Sequence, residues 1–157
     1  MKNYIGEAIT ELYKVFDLLN KKYYNNELPY PAITIQTNNN KPISGWFTLQ
    51  KVWKKEDDER YEINICAERL KDGAVMVAET LNHEMVHYAN KLADIVDCHN
   101  YVHTKKFKVL AESVGLVCER TKKYGWGYTI PSDEFISFIK DKIDETKFSY
   151  FRDIKKY

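Results

Sequence analysis

The chain has 157 residues, with 24 Lys and Arg against 23 Asp and Glu, a formal net charge of +1. That length suits one domain with its own core, and the near-balance of charge argues against nucleic acid as an obligatory bulk partner. Cys66, Cys98 and Cys118 are odd in number and form no C-x-x-C pair, so neither a disulfide framework nor a second zinc site is indicated. Free thiols fit a reducing compartment. The N-terminus lacks the apolar core of an export signal, and no apolar run is long enough to span a bilayer. The expectation is a soluble, cytoplasmic protein with no membrane partner.

Residues 3–24 carry Tyr4, Ile5, Ala8, Ile9, Leu12, Val15, Phe16, Leu19 and Tyr23 at three-and-four spacing. This predicts an amphipathic scaffold helix of about five turns. Asn25, Asn26 and Pro29 end it. Residues 33–37 alternate and predict a strand, and 45–53 predict a second. The charged run 54–60 reads as a solvated hairpin tip. Residues 61–67 predict a third strand, with Ile63 and Ile65 on one face.

The next segment runs from Ala74 to Leu92 and contains His83-Glu84-Met85-Val86-His87. It has no Pro, and Gly73 lies just before it. It predicts a helix with Asp72 as N-cap. Val75, Val77, Ala78, Leu81, Met85, Val86, Ala89 and Leu92 make it apolar nearly all round, the pattern of a buried helix. Residues four apart share one face of a helix, so His83 and His87 can direct two imidazoles at one point. Neutral imidazole suits zinc. A water on that zinc loses its proton readily, and Glu84, beside the first ligand, can take it. The plainer reading is two exposed His and a Glu on an ordinary helix, but polar side chains on a buried helix need partners.

Catalytic zinc takes three protein ligands and keeps an open position. The continuation H-x-x-G-x-x-H fails here, because Asn90 and Ala93 stand at the Gly and His positions. His103 opens a second periodic segment and falls on its apolar stripe with Phe107, Leu110, Ala111 and Val114, so it points inward. His99, in a polar and irregular stretch 94–101, is an alternative. Glu112 is another, but it lies on the opposite face, with Lys105 and Lys108.

Asp94 and Asp97 read either as acceptors for the second N–H of a ligand His or as solvated loop carboxylates, and ordinary exposure favours the second. Lys105, Lys106 and Lys108, with Arg120, Lys122 and Lys123, form two basic clusters. Each reads as a solvated face, with contact to a nucleic-acid backbone as the sharper alternative. Residues 117–122 and 125–130 predict two short strands. The hydroxyl of Tyr124 or Tyr128 is a candidate for stabilising an oxyanion, against plain packing. Pro131-Ser132 starts a last helix, Asp133 to Ile143. The single domain spans 1–143, and 144–157 form an extension without an assigned role.

An extended peptide presented to the metal is most simply held on an exposed sheet edge. The strand ending near Trp53 is the candidate edge, and core packing by Trp46 and Trp53 is the competing reading.

His-Glu-Met-Val-His, then His103-Thr-Lys-Lys-Phe-Lys108, then Gly115-Leu116 and Gly125-Trp126, resemble the SprT-like family of zinc metallopeptidase domains. Leu28-Pro29, Trp46–Trp53 and Tyr61–Ile65 match as well, so the resemblance covers roughly 8–131. It implies an α+β, small zincin-like domain: an N-terminal helix and a mostly antiparallel three- to four-stranded sheet, packed on the metal helix and on a following helix that carries the third ligand. It implies Zn2+ on His83, His87 and His103, Glu84 as general base, and a protein or peptide substrate. Some such proteins act on proteins attached to DNA, which makes DNA association a second expectation. Two departures stand out. Thr104 follows the third His where several relatives have Gly, and the four-Cys ribbon that ends several relatives is missing.

Overall fold

Helix α1 (Tyr4–Tyr23) starts where the Asn3 side chain accepts the Gly6 N–H and ends at Asn25 and Asn26, both left-handed (φ 54° and 57°). In this computed structural model, which describes residues 1–154, Ala8, Leu12, Val15, Phe16 and Leu19 of its predicted stripe are buried, Ile9 and Tyr23 are half-buried, and Tyr4 and Ile5 in the first turn are exposed. The local rules work here because capping, spacing and termination signals agree.

The first sheet has the order β1-β5-β2, from β1 (Ala32–Gln36), β5 (Glu62–Cys66) and β2 (Gly45–Phe47). β1 runs parallel to β5 and β2 antiparallel to it. Antiparallel pairs predominate over the described residues, but β1–β5 here is parallel, as is the pairing of His103 with Gly125 in the second sheet. The expected strand over 45–53 is corrected. It breaks after Phe47, and Trp53 begins a separate hairpin of β3 (Trp53–Lys55) and β4 (Asp58–Arg60). The break has a cause: the Thr48 hydroxyl takes the Glu62 N–H, replacing a ladder bond from the main chain. Both indole N–H groups then donate to one carboxylate, Trp46 at 2.6 Å and Trp53 at 2.9 Å from Glu62. These tryptophans therefore tie the hairpin to the sheet.

Helix α2 (Ala74–Leu92) packs on β2 and β5 and also against the second sheet, so it is buried from two sides. Asp72 is not its N-cap. It closes a short 3-10 turn and pairs with Arg69 at 2.8 Å, while Gly73 takes the N-cap position with φ 96°. Glu145 Oε1, from the C-terminal segment, accepts the Ala74 N–H at 3.2 Å. A cap from so far along the chain carries no local sequence signal.

A two-residue hairpin of β6 (Cys98–His99) and β7 (Val102–His103) follows, its tip at Asn100 and Tyr101 with φ 48° and 69°. The stretch expected to be irregular is thus partly ordered. After it come α3 (Lys105–Ser113), β8 (Leu116–Thr121), β9 (Gly125–Pro131) and α4 (Asp133–Ile139). The second sheet has the order β6-β7-β9-β8. Ser132 caps α4 by accepting the Phe135 N–H, as its position before an apolar run predicts. The segment with no expected role takes part in the core: Phe148 is buried beside α1, and Asp144 N–H donates to Glu11. Residues 155–157 of that segment lie outside the described ones.

Candidate metal centre

α2 carries His83 and His87 one turn apart, and His103 meets them from the end of β7. The third candidate ligand therefore does not sit on the following helix. It sits two residues before α3, held because its N–H donates to the Tyr124 carbonyl beside β9. It points inward as expected, but strand pairing, and not a helical stripe, aims it. One nitrogen from each of the three rings lies within 4.8 Å of the others. His87 Nε2 and His103 Nε2 are 3.1 Å apart. Zinc bonds of about 2.0–2.1 Å at tetrahedral angles set ligand nitrogens about 3.3 Å apart, so this spacing fits one ion.

The opposite nitrogen of each ring has a partner. His87 Nδ1 lies 3.0 Å from both oxygens of Asp97, and Asn90 Nδ2 donates to the same carboxylate. His103 Nδ1 lies 3.2 Å from the carbonyls of Tyr101 and Tyr124. His83 Nδ1 lies 2.9 Å from Thr129 Oγ1, and Thr129 donates to Glu79. Acceptors at Nδ1 place the hydrogen there and leave Nε2 with its lone pair, the tautomer a metal needs. Three neutral imidazoles held this way can bind a metal ion.

Packing fixes the rings. Phe107, fully buried, has its ring centroid 4.8 Å from His83, 4.8 Å from His87 and 4.6 Å from His103. On β9, Gly127 leaves the space that the His103 ring fills. Thr104 has φ −86° and ψ 174°, extended backbone open to any residue, so no glycine is needed after the third His. Its hydroxyl donates to the Asp97 carbonyl.

Burial dominates the electrostatics. It pushes the Glu84 carboxyl up to about 7, with His87 pulling down and Asp97 pushing up. Burial also pushes Glu79 to about 7, against the Thr129 hydrogen bond and with help from the Glu84 charge. His83 is held well below its ordinary value by burial and by its two imidazole neighbours. His103 is lowered by burial and by His87. Burial also pulls His87 down, but the Asp97 hydrogen bond and the charges of Glu84 and Asp97 outweigh it and leave it raised. Among the described residues Glu84 is in no hydrogen bond or ion pair, and it keeps a little exposure, 7%, on the helix that carries His83 and His87.

The remaining candidates fall outside the cluster. His99 and Asp94 are exposed, and Glu112 faces Lys108 at 3.9 Å. Tyr124 contributes its carbonyl, and Tyr128 is half exposed. Cys98 Sγ lies 4.0 Å from His103 Nδ1, on the side away from Nε2. Asp97 is corrected: it is 6% exposed, too buried for a solvated loop carboxylate. The sequence reading missed Glu79, Thr129 and Gly127. Glu79 lies four residues before His83, on the same helical face, and that spacing was a usable signal. Thr129 and Gly127 reach the site only through the pairing of β9.

A family model described as the SprT-like family matches residues 12–124. No curated protein and no solved structure matches the chain.

Proposed function

The chain belongs to the SprT-like family, and from that membership and its three converging imidazoles we propose that it is a zinc-dependent metallopeptidase. Its substrate is a protein or peptide held extended. His83, His87 and His103 would hold the ion. When bound, zinc polarises a carbonyl and makes water acidic near neutral pH. Glu84, adjacent to the first ligand on α2, takes the water's proton and passes it to the leaving amine.

The carrying observation is the composition of the cluster: three imidazoles and, among the described residues, no fourth metal-binding side chain. A structural zinc site is closed by a fourth protein ligand, whereas a catalytic one keeps a position open. Asp97 is occupied by His87 and Asn90, and Cys98 lies behind His103. A silent binding module with a closed site is therefore disfavoured.

β2 is the sheet edge beside α2. Thr48 N donates to the Glu62 carbonyl and Cys66 N to the Ser44 carbonyl, so 44 and 48 face β5. By the alternation of an antiparallel ladder, the main-chain groups of Gly45 and Phe47 face outward. Those groups pair with an extended substrate without regard to its side chains. The candidate edge, expected over the strand 45–53, thus narrows to residues 45–47. We keep association with DNA as a secondary proposal, resting on the exposed Lys105, Lys106, Lys122 and Lys123. Binding that weakens steeply with salt supports it, and salt-independent or absent binding removes it.

The test is zinc content together with cleavage of an unfolded protein substrate. The wild type is expected to carry one zinc per chain and to cleave. Glu84→Gln is expected to keep the zinc and lose about 100-fold or more in turnover. Undiminished cleavage by a zinc-loaded Glu84→Gln variant removes Glu84 from the mechanism.

A further inference from the structure

His83 differs from its two neighbours in how its outer nitrogen is held. His87 meets a carboxylate directly, and His103 meets two main-chain carbonyls. His83 meets a hydroxyl, Thr129 Oγ1 at 2.9 Å, and that hydroxyl donates onward to Glu79. A hydroxyl has a single proton. With that proton directed at Glu79, Oγ1 can only accept from His83. Nδ1 then carries the hydrogen, and Nε2 keeps its lone pair on the side of His87 and His103.

We propose that Glu79 and Thr129 form a two-membered relay that locks His83 in the metal-ligating tautomer, with Glu79 as a positioning residue that never touches the ion. The proposal rests on the metal-site reading and not on peptide cleavage. Glu79 lies one turn before His83 on α2 and is 5% exposed, so its carboxyl is fixed relative to the ring. Among the described residues it has no basic partner, and its hydrogen bond is to Thr129. A buried carboxyl with one hydroxyl partner contributes little to stability, because burial disfavours its charge. Its value lies in orienting that hydroxyl. Thr129 arrives from β9, so the relay also couples the second sheet to the metal helix. An acceptor behind a ligand imidazole raises its basicity and fixes its plane, and losing one typically weakens metal binding 10–100-fold.

The experiment is a zinc titration against a competing chromophoric chelator, with the d–d spectrum of the cobalt(II)-loaded protein as a second readout. Thr129→Val keeps the side-chain shape and removes the hydroxyl. It is expected to bind zinc about 10–100-fold more weakly and to shift the cobalt bands. Thr129→Ser, which restores the hydroxyl, is expected to recover both. Because Thr129→Val strands Glu79, the double variant Thr129→Val/Glu79→Leu removes both polar groups. It is expected to fold without metal and to show the same weak binding. Zinc affinity within about twofold of wild type in either Val variant overturns the relay. A wild-type protein that binds no zinc overturns the metal-site reading instead.

Discussion

Gly127 lies against the imidazole of His103 so closely that a Cβ there would fall 2.3 Å from Nδ1 and 2.6 Å from Cε1. The backbone at 127 has no positive φ, so the constraint is one of space and not of strain. Gly125 combines both: φ is 59°, and a Cβ would meet the His103 carbonyl oxygen at 2.3 Å. Gly127→Ala is therefore expected to rotate or displace the His103 ring while leaving the strand paired. Zinc affinity should fall by about tenfold or more, with the far-ultraviolet circular dichroism unchanged. Wild-type affinity in that variant means the ring can move without leaving the ion.

Asp97 holds His87 from behind, and replacing it should act on that ring first. Asp97→Asn keeps the shape but removes the charge. In the metal-free protein the His87 midpoint lies above its ordinary value because the Asp97 hydrogen bond and the charges of Glu84 and Asp97 together outweigh burial. Without that carboxylate burial dominates, so the midpoint moves to lower pH. Nuclear magnetic resonance titration of the imidazole signals reads this directly. Zinc binding should weaken about 10–100-fold in the same variant. A His87 midpoint that does not fall refutes the assignment of Asp97.

The N-terminus of α2 depends on a residue from the other end of the chain. Glu145→Ala removes the side chain that accepts the Ala74 N–H, and should cost about 1 kcal/mol in denaturant unfolding. Zinc affinity should stay unchanged, because the two candidate ligands on α2 lie more than two turns further along and His103 lies on β7. Phe148→Ala should cost more, about 3–5 kcal/mol, since the ring is buried in the core. Equal and small losses for both variants mean the segment docks only loosely.

Metal binding should appear as thermal stability. Zinc at a hundred times its dissociation constant adds about 2.7 kcal/mol to the folded state. For a chain of this size that is a rise in Tm of about 5–10 °C, reversed by a chelator. Triple substitution of His83, His87 and His103 by Gln should abolish the zinc-dependent rise. A rise that survives the substitutions places the metal elsewhere.

What the sequence revealed follows from the range of the interactions. α1, α2 and the His83–His87 face could be read because spacing within one helix decides them. The sequence aims His103 inward by a helical stripe, whereas in the fold pairing with the Tyr124 region aims the ring from a strand. The strand expected over 45–53 failed because the Thr48 hydroxyl competes for a ladder bond, which no periodicity shows. Asp97 was read as solvated because its loop is polar, but the fold places that loop against α2. Thr129, Gly127 and Glu145 all act across long sequence separations.

The matched span of the family ends at residue 124, in the turn that leads into β9. Much of what braces the three imidazoles comes after that point: the relay hydroxyl of Thr129, the clearance at Gly127, and Phe135, Ile139 and Phe148 in the core. A fragment trimmed to the matched span would retain every imidazole yet lose the wall behind two of them. Such a fragment would be expected to sequester divalent ions as a loose chelating peptide, with its apolar helix bared to self-association. For a protein built this way, sensible boundaries for expression follow the buried side chains, and the recognisable motif is only the middle of the working unit.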